Sequence, residues 1–68
     1  MEVRNVIFNL EEVRKEIGMT QEQLSKKSGV SRTIISGMEN GVIVNTNTKT
    51  LKRLADALGV SIDKIFSV

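Results

Sequence analysis

The stretch TQEQLSKKSGVSRTIISGMENG, residues 20–41, decides the fold of this 68-residue chain. Its small and apolar residues occur where two short helices that cross at a tight turn require them. Ser25 is small where the helices would touch, and Gly29 supplies the turn because a β-carbon there would penalise a left-handed backbone. The stretch therefore predicts a helix-turn-helix. Its inner face consists of Leu24, Val30, Ile35 and Met38, with Ile34 on the flank.

Capping signals predict the ends of these two helices. Thr20 with Gln23 three residues later is a capping box, which opens the first helix of the pair. Ser31 is the expected N-cap of the second helix, and Asn40 and Gly41 are its expected end.

The helix-turn-helix is flanked by one helix before it and two after it. Asn9, with a carboxylate three residues on, predicts the N-cap of the first helix of the chain. Asn47 is favoured over Thr46 and Thr48 as the N-cap of the fourth, and Ser61 is expected to cap a fifth helix of one or two turns. The inward positions of these flanking helices follow helical spacing: Leu10, Val13 and Ile17, then Leu51, Leu54, Ala55 and Leu58, then Ile62, Ile65 and Phe66.

Residues 3–8 precede the first cap and are largely apolar. We favour a short β-strand there over a backward extension of the first helix. A lone strand leaves backbone groups unpaired, so it needs a partner. The run Val42, Ile43 and Val44 is the candidate partner, in this chain or in a second copy.

Cysteine and histidine are both absent from the sequence. Their absence removes the usual nucleophile, the neutral-pH proton shuttle and the usual zinc ligands, so we expect neither an enzyme nor a metal or cofactor site. The lack of cysteine fits a reducing compartment. No window approaches the roughly 18 apolar residues that a spanning helix needs, so we expect a cytoplasmic protein without a membrane partner.

The charge and aromatic content bear on the kind of partner. Ten Lys and Arg against eight Asp and Glu give a formal charge of +2, which permits a nucleic acid partner without requiring one. Phe8 and Phe66 are the only aromatic residues, which argues against recognition of single strands by base stacking. For a nucleic acid partner, the composition therefore favours a duplex over a single strand.

Residues 20–41, with LEEVRKEIG before them and TLKRLADALGVSIDKIF after them, resemble the Cro and phage-repressor (XRE-type) family of helix-turn-helix proteins. The resemblance covers residues 9–66. It implies an all-α fold in which residues 1–68 form one compact five-helix, lambda-repressor-like DNA-binding domain. It also implies that the third helix, residues 31–40, enters the major groove and that a homodimer binds a palindromic operator.

The resemblance assigns base reading to the recognition helix. Arg32 and Thr33 match the family's principal base readers, and Ser36 lies one turn further on. A guanidinium can grip guanine O6 and N7 together, which is worth roughly 1 to 3 kcal/mol of discrimination. The alternatives are a surface or phosphate-binding role for Arg32 and no contact for Ser36. At Gly37 many relatives carry a long polar reader, so this chain should read fewer bases directly and depend more on operator deformability.

Phosphate contacts are implied at the helix ends and in the following loop. Gln21 matches a residue whose side chain and helix N-terminus hold a phosphate, and Asn40 matches a second contact. Ser31 could divide its hydroxyl between capping and a further phosphate. The alternative for the other two residues is that Gln21 only begins a helix and Asn40 only ends one. The loop lacks the basic, proline-containing character common in the family, so its phosphate donors are Asn45, Thr46, Asn47 and Lys49 and the salt dependence should be shallow.

The triplet Val42, Ile43 and Val44 has two interpretations. It could pack under the fourth helix as extra core, or it could form a subunit interface. A dimer is favoured independently, because one helix-turn-helix reads too few base pairs to select one operator from a genome.

These expectations favour a sequence-specific transcriptional regulator, most simply a small dimeric repressor of a phage, prophage or mobile element. No sensor domain and no small-molecule ligand are expected, so regulation would come from the concentration of the protein, from a protein antagonist or from competition for the operator. An antitoxin and a restriction-system controller are alternatives with the same fold. The alternative of another class is a protein-interaction module that has lost DNA binding and docks through its apolar loop.

Overall fold

The computed structural model describes residues 7–42 and 47–67, and helices dominate this part of the chain. Its two short strands, β1 (Ile7–Phe8) and β2 (Phe66–Ser67), pair antiparallel. The expected all-α, five-helix fold is confirmed over the described residues. None of the helices in these ranges is long and apolar enough to cross a bilayer. The helices are α1 (Leu10–Ile17), α2 (Gln21–Ser28), α3 (Arg32–Glu39), α4 (Thr48–Leu58) and α5 (Ile62–Ile65).

Local hydrogen bonds determine where three of the helices begin. The Thr20 hydroxyl accepts from the Gln23 backbone N–H at 3.0 Å, and the Gln23 side-chain oxygen accepts from the Thr20 N–H at 2.9 Å. The side-chain oxygens of Ser31 and Asn47 accept from the backbone N–H three residues on, at 3.2 and 2.8 Å. The predicted capping box of α2 and the predicted N-caps of α3 and α4 are confirmed.

Asn9 and Ser61 occupy the predicted N-cap positions of α1 and α5, but the predicted capping hydrogen bonds from their side chains are wrong. Within the described residues, neither side chain accepts a hydrogen bond from the helix that follows it. Asn9 donates its backbone N–H to the Ile65 carbonyl at 3.0 Å, and its φ of −94° and ψ of 25° lie outside the extended region from which a cap side chain reaches its helix. At Ser61 the backbone carbonyl already accepts the Lys64 N–H at 3.0 Å.

The hydrophobic core lies where the five helices of the described region converge. Each helix contributes one large side chain that is completely removed from water, and α2 packs against both α3 and α4. Ile17, expected to point inward, is instead 45% exposed, because the core-facing side of α1 ends at Arg14 and Ile17 is the last residue of the helix. The five side chains are Leu10, Leu24, Ile35, Leu54 and Ile65.

The partner of the N-terminal strand differs from the expected one. The predicted strand is present at residues 7 and 8, but Ile7 pairs with Ser67 and Phe8 with Phe66, rather than with residues 42–44. Because α5 packs against α1, it returns the end of the chain to β1, and the Phe8 and Phe66 ring centroids lie 6.0 Å apart.

Val42 does not form extra core under α4. Its side chain is 78% exposed, so that interpretation is wrong for this residue. Ile43 and Val44 lie outside the described residues, as do Asn45 and Thr46.

Candidate nucleic-acid interface

The residues predicted to read bases share one open groove along α3. The groove has a volume of about 470 Å³. Two of the predicted phosphate contacts, Gln21 and Asn40, lie in the same groove, whereas Ser31, Asn47 and Lys49 are exposed outside its lining. The lining residues are Gln21, Arg32, Thr33, Ser36, Gly37, Asn40 and Val42.

The orientation of α3 follows from its buried face. Ile35 and Met38 are buried in the core, which turns the opposite face of the helix outward. Arg32, Ser36 and Asn40 are spaced four residues apart and therefore follow one another along that outward face. Asn40 donates its side-chain N–H to the Ser36 hydroxyl at 3.4 Å.

The turn between α2 and α3 fixes how the two helices cross. Gly29 adopts the left-handed backbone expected from the sequence, with φ of +77°. The Ser25 hydroxyl donates to the Val30 carbonyl at 2.7 Å, and the buried Ser28 hydroxyl accepts from the Val30 N–H at 3.1 Å. Ser25 is therefore small enough for the crossing and also binds the turn itself. The bond from Ser28 was not predicted from the sequence.

An ion pair that sequence reasoning missed lies behind this groove. The Arg14 guanidinium donates from Nε to Glu39 Oε2 at 2.8 Å and from Nη2 to Glu39 Oε1 at 3.0 Å. Its Nη1 donates to the Met19 carbonyl at 2.8 Å. The two charged side chains are only 9% and 2% exposed. One signal in the sequence could have indicated Arg14: it stands four residues after Leu10, on the side of α1 that faces the core.

The pair remains charged near neutral pH. The hydrogen bond to Glu39 raises the pKa of the Arg14 guanidinium, against the opposing effect of burial. Burial by itself would raise the pKa of the Glu39 carboxyl, but the hydrogen bonds from Arg14 and Gln21 and the positive charges of Arg14 and Lys15 together outweigh burial and lower that pKa. Arg14 and Glu39 therefore form a bidentate, charge-assisted contact.

Gln21 connects this ion pair to the start of α3. Its Nε2 donates to Glu39 Oε1 at 2.8 Å, and its Oε1 accepts from Arg32 Nε at 3.4 Å. We call the hydrogen-bonded series Arg14, Glu39, Gln21 and Arg32 the polar chain. It runs from the buried face of α1 to the exposed groove, and it gives the Gln21 side chain two partners within the protein.

Val42 lines the groove beyond the C-terminal end of α3. Its backbone N–H donates to the Gly37 carbonyl at 2.9 Å, after Gly41 has turned the chain with φ of +80°. The exposed Val42 side chain is therefore held beside the polar residues of α3 by its backbone. The groove as a whole presents guanidinium, hydroxyl and amide groups together with the methyl groups of Thr33 and Val42, and groups of these kinds read base edges in the major groove.

Comparison with known protein families agrees with this geometry. A family model described as helix-turn-helix matches residues 10–65. An uncharacterised HTH-type transcriptional regulator of Sinorhizobium fredii, y4dJ, is 40% identical over 62 residues, which cover 90% of this chain and 79% of that protein.

Two solved structures of restriction-modification controller proteins resemble this fold. C.AhdI from Aeromonas hydrophila is 32% identical with a TM-score of 0.77, and the match covers 82% of this chain and 83% of that one. Wild-type C.Esp1396I is 42% identical with a TM-score of 0.71 over 76% of this chain, and the match spans 66% of the length of that protein.

Proposed function

The chain belongs to the XRE-type helix-turn-helix family of DNA-binding proteins, and from that membership we propose that it is a transcriptional regulator that binds double-stranded DNA through α3. One observation carries the proposal. The three candidate base readers lie in one groove on the outward face of a helix whose other face is buried in the core. An exposed helix of this kind fits the major groove of B-DNA. A DNA ligand of this kind would place the protein in the cytoplasm.

The candidate contacts divide into base readers and phosphate contacts. Arg32 is the principal candidate reader because its guanidinium could bind guanine at two atoms, and Thr33 and Ser36 would add hydroxyl contacts. Gln21 would contribute its helix N-terminus to a phosphate, since its side chain already has two partners. The further phosphate candidates are Ser31, Asn40, Asn45, Thr46, Asn47 and Lys49.

Selection of random duplexes by the purified protein tests this function. We expect an enriched sequence, and we expect Arg32→Ala to lose the preference for guanine at one position, by roughly 10- to 100-fold. Lys64→Ala is the charge-matched control, because Lys64 is an exposed cation on α5 and is not part of the α3 groove. If no duplex were enriched at low salt, the proposal of a transcriptional regulator would be excluded and a protein-interaction module would be favoured. An unchanged preference in Arg32→Ala would remove its assigned role.

We further propose that two copies bind a palindrome. The support is physical, since a two-fold dimer doubles the contacts of a single reading helix. Residues 42–44 are the candidate interface, and Val42 is an exposed apolar side chain. Sedimentation in the absence of DNA is expected to show a dimer that Val42→Gln weakens. Ile17→Gln, at a second exposed apolar residue, should leave the mass unchanged; equal masses for both variants would exclude Val42 from the interface.

Two biological roles are compatible with this mode of binding. The resemblance of the sequence to phage repressors supports a repressor of a phage, prophage or mobile element. The similarity to two restriction-modification controller proteins supports a second candidate, a controller of such a system. The adjacent genes distinguish them: an integrase or second small regulator favours the first, and a methyltransferase favours the second. An adjacent toxin gene would instead favour an antitoxin.

A further inference from the structure

We propose that Gln21, Glu39 and Arg14 act as positioning residues for base reading, so that the polar chain sets the direction of the Arg32 guanidinium without any of these three side chains touching a base. The inference rests on the proposed function and assigns a new role within the same site. It gives the buried ion pair a part in DNA specificity besides its part in stability.

The contact at Arg32 leaves its reading atoms free. Arg32 is exposed, and its long side chain would otherwise sample many rotamers, which must be restricted when it binds a base. Gln21 Oε1 accepts from Nε, the nitrogen nearest the backbone. The two terminal nitrogens are not used in this bond, and they form the fork that can bind guanine O6 and N7 together. Gln21 therefore restricts the side chain without occupying its recognition edge.

The charge on Glu39 determines which way Gln21 points. An ionised carboxylate can only accept hydrogen bonds, so the Gln21 amide must direct its NH₂ toward Glu39. Its oxygen is then directed away from Glu39, toward Arg32. A neutral amide in place of Glu39 could donate as well as accept, and the orientation of Gln21 would no longer be determined.

The inner end of the polar chain is rigid. Glu39 accepts two hydrogen bonds from Arg14, and Arg14 is tied in turn to the Met19 carbonyl. Both charged side chains are almost completely buried. Three hydrogen-bonded contacts therefore connect the exposed Arg32 side chain on α3 to the core of the domain.

A test without DNA examines the polar chain directly. In ¹⁵N relaxation of the free protein, Arg32 Nε–Hε should be more ordered than Nε–Hε of Arg53, an exposed arginine on α4. Gln21→Met keeps the side-chain length and removes the amide, so it should reduce the order of Arg32 to that of Arg53. If Arg32 Nε–Hε were as mobile in the parent as in Gln21→Met, the inference would be overturned, whether or not the protein binds DNA.

The second test measures discrimination on the selected duplex. The measured quantity is the ratio of affinities for that duplex and for one with the base pair read by Arg32 exchanged. Gln21→Met should lower this ratio about 5- to 10-fold, because Arg32 must then be ordered on binding. Ratios at the other positions should change less than about 2-fold, whereas a lost phosphate contact would weaken binding to all sequences alike.

Two further variants separate positioning from folding. Arg14→Met with Glu39→Leu replaces the ion pair by apolar side chains, a replacement that buried pairs often tolerate, and it should cause the same loss of discrimination in a folded protein. In an Arg32→Ala background, Gln21→Met should cause no further loss at that base pair. The inference would be overturned if Gln21→Met left the ratio of affinities unchanged. It would also be overturned if Gln21→Met lowered that ratio equally in the Arg32→Ala background. A parent that binds no duplex but has an ordered Arg32 would contradict only the proposed function.

Discussion

At the scale of single residues, the ion pair of Arg14 and Glu39 has the largest expected effect on stability. Removing one partner leaves an uncompensated charge among buried atoms, which typically costs about 3 to 5 kcal/mol. We therefore expect Glu39→Ala to lower the free energy of unfolding by about 3 kcal/mol in urea denaturation. Glu11→Ala breaks an exposed ion pair with Lys15 and should cost less than about 1 kcal/mol. Equal losses for the two variants would show that burial does not matter here.

The lowered pKa of Glu39 predicts how stability depends on pH. The unfolded chain protonates this carboxyl at its ordinary pKa of about 4.3, and the folded protein does so only at lower pH. The stabilisation is therefore complete above the unfolded pKa, and it is lost as pH falls through the folded pKa. As the pH is lowered below about 4.3, the urea concentration at the unfolding midpoint of the parent should decrease. The midpoint of Glu39→Gln should decrease less. Parallel curves for the parent and variant would contradict this assignment.

At the scale of elements, two glycines of the helix-turn-helix should respond to alanine in opposite directions. Gly29 has φ of +77°, and no described atom lies within 4 Å of an added β-carbon, so Gly29→Ala adds only backbone strain of about 1 to 2 kcal/mol. Gly37 lies inside α3 and has no positive φ, so Gly37→Ala should stabilise the helix by up to about 1 kcal/mol. Thermal denaturation measures both changes: the melting temperature should fall in Gly29→Ala and rise in Gly37→Ala. Two shifts of the same sign would contradict this prediction.

The helices also differ in how far their own residues determine their ends. Thr20, Ser31 and Asn47 cap the helices that follow them, because each cap needs only a side chain and a backbone N–H three residues away. Asn9 has a suitable side chain and does not cap α1, since its backbone is bound to Ile65 at the other end of the domain. At α1 the local sequence predicts where the helix begins, but the capping hydrogen bond does not form because a distant contact sets the backbone of Asn9.

At the scale of the whole molecule, the small formal charge of +2 predicts that the proposed DNA binding depends only modestly on salt. Each phosphate neutralised by a cation contributes a slope of about −0.9 to log affinity against log salt. With two to four such contacts, affinity should fall about 10- to 150-fold between 50 and 200 mM salt. Fluorescence anisotropy with the selected duplex measures this slope, and Lys49→Ala should make it shallower. A loss above about 1,000-fold would show that phosphate contacts dominate.

The candidate interface illustrates how far the sequence predicts a site in this molecule. Helical spacing alone places Arg32, Ser36 and Asn40 on one face, and the structure brings them into one groove with Gln21. That the Gln21 side chain bonds Glu39 and Arg32 was not predictable, because Gln21 and Glu39 are 18 residues apart and lie on different helices. The distance in space between these two side chains depends on how α2 and α3 pack, and no local sequence pattern predicts it.

The sequence by itself therefore determined the helices, three of their caps, the left-handed turn at Gly29 and the outward face of α3, since these depend on residues within one or two helical turns. Only the tertiary structure decided the pairing of β1 with β2, the exposure of Ile17 and the joining of Arg14 to Glu39 across 25 residues. The physical reason is the range of the interactions. Capping and helical periodicity act between near neighbours, whereas strand pairing and buried charge compensation require surfaces that exist only after the helices have packed.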